Sequence, residues 1–378
     1  MQPVLIARFD AMSHSDETPQ TSRMIHEDRR RGRGARSNVT GRFENQTREE
    51  FDDGWEVLQS LDGFKTRLHT DTTRTIITTN DSPDISFDQS INPYRGCEHG
   101  CIYCYARPSH CYLGHSAGLD FETELYVKPD AARLLERELA NPRYNVKMIA
   151  LGTNTDPYQP IERRLTVTRT ILEVLAATNH PVGIVTKSAL VTRDIDILAP
   201  MAAKGLAKVA LSVTTLDRKL ARAMEPRAAT PPKRLEAIRQ LSEAGIPTFA
   251  MVAPIIPALT DHEIESILEA IHDAGALAAG YVMLRMPLEI KDLFRQWLET
   301  EFPDRARRVI ALMQSMHGGR DYTAAFRIRQ RGTGPYADQI AKRFRLALKR
   351  LGMDTPNMPL RTDLFRRPTP PGGQFPLL

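Results

Sequence analysis

An alternation of strand-like and helix-like segments constrains this chain more than any other feature. From Ile85 onward, short apolar runs alternate with amphipathic stretches; the runs are Ile85 to Phe87, Lys147 to Leu151, Val182 to Thr186, Val209 to Val213, Thr248 to Ile256 and Tyr281 to Leu284. Most of the runs begin roughly 28 to 39 residues apart, which is the length of one strand, crossover helix and return. Between them, Ile161, Leu165, Thr168, Leu172 and Leu175 recur at helical spacing over 161–178, Leu235, Ile238 and Leu241 do so before Gly245, and Ile264, Leu268 and Ile271 before Gly275. About six such units make an α/β protein, either a partial barrel or an open doubly wound sheet.

In both architectures chemistry collects at the C-terminal ends of the strands. The polar residues expected there are Thr153-Asn154-Thr155-Asp156, Thr186-Lys187-Ser188, Ser212-Val213-Thr214-Thr215 and Arg285, with Pro254-Ile255-Ile256-Pro257 beside them.

Outside this core the composition changes. Residues 1–70 are rich in Arg, Asp, Glu, Ser, Thr and Gly and carry few apolar clusters apart from Trp55 to Leu61, so they are expected to be a basic, largely disordered extension. Residues 71–290 form the expected core. Residues 291–378 read as a helical extension, with Asp292 to Glu299, Arg305 to Met316 and Ala337 to Leu351 helical, and a Pro- and Gly-rich tail. Lys and Arg exceed Asp and Glu by 51 to 46, a mild excess, yet Arg29 to Arg36 reads RRRGRGAR and Arg343, Arg345, Lys349, Arg350, Arg361, Arg366 and Arg367 crowd the other end. Either basic end is a candidate phosphate contact or simply a solvated face. No run of 18 apolar residues occurs, and the N-terminal stretch has neither a long apolar segment nor a small-residue cleavage site, so the expectation is a cytoplasmic protein with no membrane partner.

The strongest local signal is Asn92 to His110, NPYRGCEHGCIYCYARPSH, in which Cys97, Cys101 and Cys104 form a C-x3-C-x2-C array after a strand, the cluster loop being residues 93–111. Three of the chain's 4 cysteines fall within eight positions, a spacing that argues for metal ligation over a disulfide framework. Gly96 and Gly100 allow the backbone to turn tightly around a shared centre. A closed zinc site would need a fourth ligand from His99, His110 or Cys111. A [4Fe-4S] cluster held by three cysteines leaves one iron open for a small chelating ligand.

This loop, with Tyr103 before its third cysteine and a six-unit βα chain behind it, resembles the radical S-adenosylmethionine (SAM) superfamily. The ordered segments YRGCEHGCIYCYARPSH, LGTNTDPYQPIE, IVTKS, SVTT, EPRAATPPKRLEAI and VAPIIP resemble its spore photoproduct lyase-like group, often labelled DNA repair photolyase. The resemblance covers roughly residues 70 to 350 and implies a partial (β/α)6 TIM-like barrel. It implies that Cys97, Cys101 and Cys104 ligate three irons, that SAM chelates the fourth, and that one-electron reduction cleaves SAM to a 5′-deoxyadenosyl radical that abstracts hydrogen. Thr155, Lys187 and Ser212 would meet the amino acid moiety of SAM. Glu225, with Arg227, would reach ribose or carboxylate. Ile255 would flank the adenine beside the backbone of Tyr103, and Tyr105 would relay a hydrogen atom or line the substrate pocket. A nucleic acid substrate and a reducing donor such as flavodoxin or ferredoxin follow from the same resemblance.

One departure bears on the reaction. The lyase carries a hydrogen-returning cysteine after strand two, whereas this chain has Thr153-Asn154-Thr155-Asp156 there, with Cys111 its one spare thiol. Thymine-dimer repair by the same route is therefore not expected. A radical enzyme acting on a peptide or metabolite, and a zinc-stabilised nucleic-acid-binding protein without catalysis, remain open on the sequence.

Overall fold

The computed structural model describes residues 24–25, 27, 30–44, 63–354 and 358–368. Six parallel strands form its centre: β1 (Gln89–Ile91), β2 (Ile149–Leu151), β3 (Val182–Thr186), β4 (Ala207–Ser212), β5 (Thr248–Ile255) and β6 (Ala278–Met283). Their spatial order is the order of the sequence, with Thr78–Thr79 added antiparallel beside β1. A doubly wound sheet would reverse its strand order midway; an unbroken order puts every crossover helix on one face and curls the sheet into a partial barrel.

The crossover helices are α1 (Ala131–Leu139), α2 (Val167–Ala177), α3 (Ile195–Ala203), α4 (Pro231–Glu243) and α5 (Ile264–Asp273). Leu134, Leu135, Leu139, Ile171, Leu172, Leu175, Ile238, Leu241, Ile267 and Leu268 join strand residues such as Ile149, Leu151, Ile184, Val209 and Leu211 in one buried core. Each such side chain contributes about 1.5–3 kcal/mol on burial. Three helices follow the barrel: α6 (Ile290–Glu301), α7 (Pro303–Met316) and α8 (Pro335–Arg350). No helix among the described residues is long and apolar enough to cross a membrane.

Three local expectations shift. The first strand lies at Gln89–Ile91 and not at Ile85–Phe87, because Gln89 is buried with its amide donating to Asn145 O at 3.1 Å, which hides the strand from an apolar search. The periodic stretch 161–178 splits at Thr166, φ +53°, into Glu162–Leu165 and α2. The buried Glu162 carboxylate holds that break by accepting from Thr168 N at 3.1 Å and from the Tyr94 hydroxyl. Helix α1 was not anticipated, although its buried Ala131, Leu134, Leu135 and Leu139 have helical spacing.

The larger difference concerns the basic N-terminal segment. Residues 30–44 are packed rather than extended into solvent, with Arg33, Ala35 and Arg36 buried. The buried Glu122 explains it: its carboxylate accepts from Gly34 N at 2.9 Å and Ala35 N at 2.8 Å, while its carbonyl accepts from Arg33 Nη1 at 2.8 Å. Arg36 pairs with Glu301 on α6, and Arg42 with Glu289. Trp55 to Leu61, with residues 1–23, 45–62 and 369–378, lies outside the described residues.

The C-terminal basic residues are also largely engaged. Arg343 makes a two-pronged contact with Glu265 on α5, at 2.9 and 2.6 Å, Arg350 pairs with Glu269, and Arg361 with Asp363. Ahead of α8, the segment 327–330 bridges the last strand and the loop that precedes β1. Met283 N donates to Gln330 O at 2.8 Å, while Arg327 N and Arg329 Nε donate to Asp84 at 2.6 and 2.5 Å.

Candidate active site

The cysteine loop leaves the short strand Tyr94–Arg95, which pairs antiparallel with Glu124–Val127. Gly96 has φ +76°, and a Cβ there would lie 2.7 Å from Leu125 and 3.0 Å from Phe121 O, so only glycine fits the turn. Gln159 clamps the loop from the far side, accepting from Glu98 N at 2.8 Å and donating to Gly96 O at 3.2 Å. Arg107 clamps it from below. Fully buried, it donates to Cys101 O and Gly100 O, each at 3.0 Å, and pairs with Glu122 at 2.6 Å.

Cys97 and Cys101 are buried, Cys104 is half-buried, and Ala106 and Phe121 pack against them. Burial, reinforced by Asp156, pushes the Cys97 thiol well up, and burial with Glu225 does the same to Cys101. Three sulfur donors held on one short loop fit a cationic iron–sulfur cluster, whose charge would favour the thiolates. Of the side chains that a closed zinc site would recruit, His99 and Cys111 are engaged by carboxylates, while both His110 ring nitrogens are buried without a hydrogen-bond partner among the described residues. His99 Nδ1 lies 3.3 Å from Asp156, His110 stacks on His115 with ring centroids 5.1 Å apart, and burial and the neighbouring Glu289 push the Cys111 thiol up.

Around this loop the strand ends bring most of the anticipated residues to one mouth. After β2, Asn92 Oδ1 accepts from Asn154 N at 3.0 Å and Thr155 N at 3.3 Å, and Thr155 Oγ1 donates to Tyr94 O at 2.8 Å. The turn is thereby sewn to the start of the cysteine loop. Burial works against ionisation of Asp156, but His99, the Thr186 hydroxyl and Lys187 N overcome it and hold the carboxyl down at about 2. The Lys187 ammonium sits 5.7 Å from the Tyr103 ring centroid, within electrostatic reach of Cys101. Ser212 ends β4 and Ile255 ends β5, both buried.

Glu225 is placed differently from a residue that reaches out to a ligand. It is buried, ion-paired with the buried Arg234, and accepts from the Tyr103 hydroxyl and from Thr214 Oγ1, the latter at 2.8 Å. Its carboxylate orients Tyr103. Arg227 pairs with Glu98 at 3.3 Å and donates its N–H to His99 O, bracing the cysteine loop. Tyr105, on the other side of Cys104, is 44% exposed; its hydroxyl donates to Thr153 O and Arg285 lies 4.7 Å over its ring.

Sequence reasoning missed Asn92, Gln159, Glu122, Arg107 and Arg234. Asn92 and Arg107 flank the cysteine motif and were within reach of a closer reading. Gln159, Glu122 and Arg234 lie well outside the motif in sequence, and only the fold brings them to it.

A partial barrel with a three-cysteine loop after its first strand defines a class, and comparison with known proteins puts a family to it. Residues 91–271, from the last residue of β1 through most of α5, match the family model described as Radical SAM superfamily. The domain around the cysteine loop thus belongs to the radical SAM superfamily. The chain is 38% identical over 226 residues to an uncharacterized protein of Mycobacterium tuberculosis, covering 59% of this chain and 66% of that relative's length. It is 28% identical over 214 residues to an uncharacterized protein of Methanocaldococcus jannaschii, covering 57% and 76%. Spore photoproduct lyase complexed with dinucleoside spore photoproduct superposes with a TM-score of 0.55 at 17% identity, over 81% of this chain and 85% of that one, which shows a shared fold. A spore photoproduct lyase mutant with bound AdoMet and the same dinucleoside superposes with a TM-score of 0.56 over the same shares.

Proposed function

We propose that this protein is a radical SAM enzyme that abstracts hydrogen from a nucleic acid substrate, with Cys97, Cys101 and Cys104 holding a [4Fe-4S] cluster. The observation that carries the reading is three thiols on one braced loop at a barrel mouth, Cys97 and Cys101 buried and Cys104 half-buried, with the Lys187 ammonium within electrostatic reach of Cys101. A cluster held by these three cysteines would supply one electron to bound SAM, whose sulfonium C–S bond would break to give methionine and a 5′-deoxyadenosyl radical.

The chain's own residues bind and orient. Lys187 makes no ion pair with any described carboxylate and so is free to bind the carboxylate of SAM. Thr155, its hydroxyl hydrogen already donated to Tyr94 O, presents oxygen lone pairs to the ammonium, and Ser212 lies at the neighbouring strand end. Ile255 and Tyr103 supply the apolar and aromatic flank for adenine, with Glu225 and Arg234 locking the Tyr103 ring. Tyr105, on the open side, lines the substrate space and carries a hydroxyl next to the cluster cysteines, which donates to Thr153 O in this structure. With no thiol after β2, it takes the place of the lyase's hydrogen-returning cysteine. A small one-electron carrier such as flavodoxin or ferredoxin, in a reducing cytoplasm, is the matching donor.

The test is anaerobic reconstitution followed by dithionite reduction with SAM. Iron and sulfide at about four each per chain, with 5′-deoxyadenosine formed by the wild type and lost in Cys101→Ala, is the expected result. A colourless protein, or one carrying zinc in place of iron, would overturn the reading.

A further inference from the structure

The charged groups at the barrel mouth sort into satisfied and unsatisfied ones. Among the cations, Arg234 pairs with Glu225, Arg227 with Glu98, and Arg329 with Asp84. Lys187 and Arg285 have no carboxylate partner among the described residues. They stand on opposite sides of Cys104: Lys187 is over Tyr103 at 5.7 Å, and Arg285 is over Tyr105 at 4.7 Å. One lone cation is accounted for by SAM. The other has no such explanation.

Arg285 directly follows β6, at the end of the strand where barrels of this kind collect ligands. Its Nε is buried with no hydrogen-bond partner, and its Nη2 reaches only the Tyr322 hydroxyl, at 3.3 Å. A buried donor without an acceptor is destabilising, and the carboxylate of the described residues that acts on Arg285 from nearby is Asp84. The one carboxylate nearby, Asp84, is already shared by Arg329 Nε and Arg327 N. The Tyr105 ring favours a guanidinium over its face, and a planar fork held there suits a tetrahedral oxyanion. Next along the rim, the Arg327 side chain is exposed and makes no ion pair with any described residue.

We propose that Arg285, held over Tyr105 and by Tyr322, binds a phosphate group of the substrate, with Arg327 as an outer phosphate contact. This deepens the reading above, since it takes the mouth as the place where the radical's substrate sits. The ligand chemistry is a phosphate ester, carried either by a nucleic acid strand or by a free nucleotide. The exposed Tyr105 ring offers the neighbouring base a stacking surface.

The experiment uses the reconstituted full chain with SAM and reads fluorescence anisotropy of a labelled thymidine decanucleotide over a salt series, with thymidine 5′-monophosphate as competitor. Arg285→Gln is expected to weaken decanucleotide binding about tenfold, and its log K against log salt slope is expected to flatten by about 0.7, the value for one lost single-strand phosphate contact. Arg285→Lys should recover the slope and only part of the affinity, because an ammonium keeps the charge but not the fork. Arg350→Gln, on the far side at its Glu269 contact, should bind as the wild type does. Equal circular dichroism melts and iron contents establish that the variants are folded.

If the decanucleotide does not bind but the monophosphate does, measured by calorimetry, and Arg285→Gln abolishes that binding, the phosphate assignment stands and the source is a free nucleotide. Binding by Arg285→Gln with wild-type affinity and slope, or no binding of either probe to the wild type, overturns it. Failure of the enzyme reading would look different: iron would be absent at reconstitution, before any oligonucleotide is added.

Discussion

Two arginine-rich segments of this chain, RRRGRGAR at 29–36 and RIRQR at 327–331, look alike in sequence and end in opposite circumstances. In the first, Arg33 and Arg36 are buried and their guanidinium groups are taken by Glu122 O, Thr66, Phe64 O and Glu301. In the second, Arg329 anchors the segment through Asp84 and Ser82, while Arg327 and Arg331 are exposed. The difference teaches that a basic run reports a surface only when no acceptors arrive from elsewhere. Glu122 and Glu301 arrive for the first segment, which becomes a strap under the cysteine loop. A single Asp84 arrives for the second, which leaves Arg327 exposed without an ion pair among the described residues, while Arg331 lies 3.8 Å over the Tyr281 ring.

The contrast is sharpest at Glu122, where the strap, Arg107 and the cysteine loop meet. Glu122→Gln leaves the fully buried Arg107 without its counter-charge, and loss of one partner of such a pair costs about 3–5 kcal/mol. Urea denaturation should show it, together with lower iron incorporation, since Arg107 also holds Gly100 O and Cys101 O. Unchanged stability and iron content would mean that the strap is not part of the loop's support.

Gly34→Ala probes the same contact more gently. A Cβ at Gly34 would stand 1.8 Å from Gly100 O, so the strap backbone must move off the loop, at a cost of about 1–3 kcal/mol. A thermal melt matching wild type would break the claim of close backbone apposition. The smallest effect is expected at the other segment. Arg327→Gln should change stability by no more than about 0.5 kcal/mol, as for a surface site without partners, while flattening the salt dependence of decanucleotide binding by about 0.7. If instead Arg327→Gln destabilises as much as the strap variants, the two segments are not different in kind.

The cysteine triad was legible because its ligands are local: Cys97, Cys101 and Cys104 lie within eight positions, and a short loop must bring them together. The strand ends were nearly as legible. Thr155 and Lys187 follow, and Ser212 and Ile255 end, strands that apolar runs mark in the sequence, and parallel strands in sequential order carry their ends to one rim. Tyr103 and Tyr105 were found beside the motif, but not their opposite fates. Glu225 turns Tyr103 inward, and Arg285 meets Tyr105 at the open side; neither partner is a sequence neighbour.

By itself the sequence determined the βα rhythm, the parallel strands that such crossovers imply, and a three-thiol loop ahead of most of them, because all of these rest on local spacing; the unbroken strand order that makes a partial barrel came from the fold. Only the tertiary structure decided which charges are neutralised. That a basic N-terminal run became a buried strap, that Glu225 serves Tyr103, and that Arg285 and Lys187 keep open charges at the mouth depend on partners brought together across tens to hundreds of residues. Burial makes those pairings matter, since a charge withdrawn from water must find its counter-charge in the fold or in a ligand.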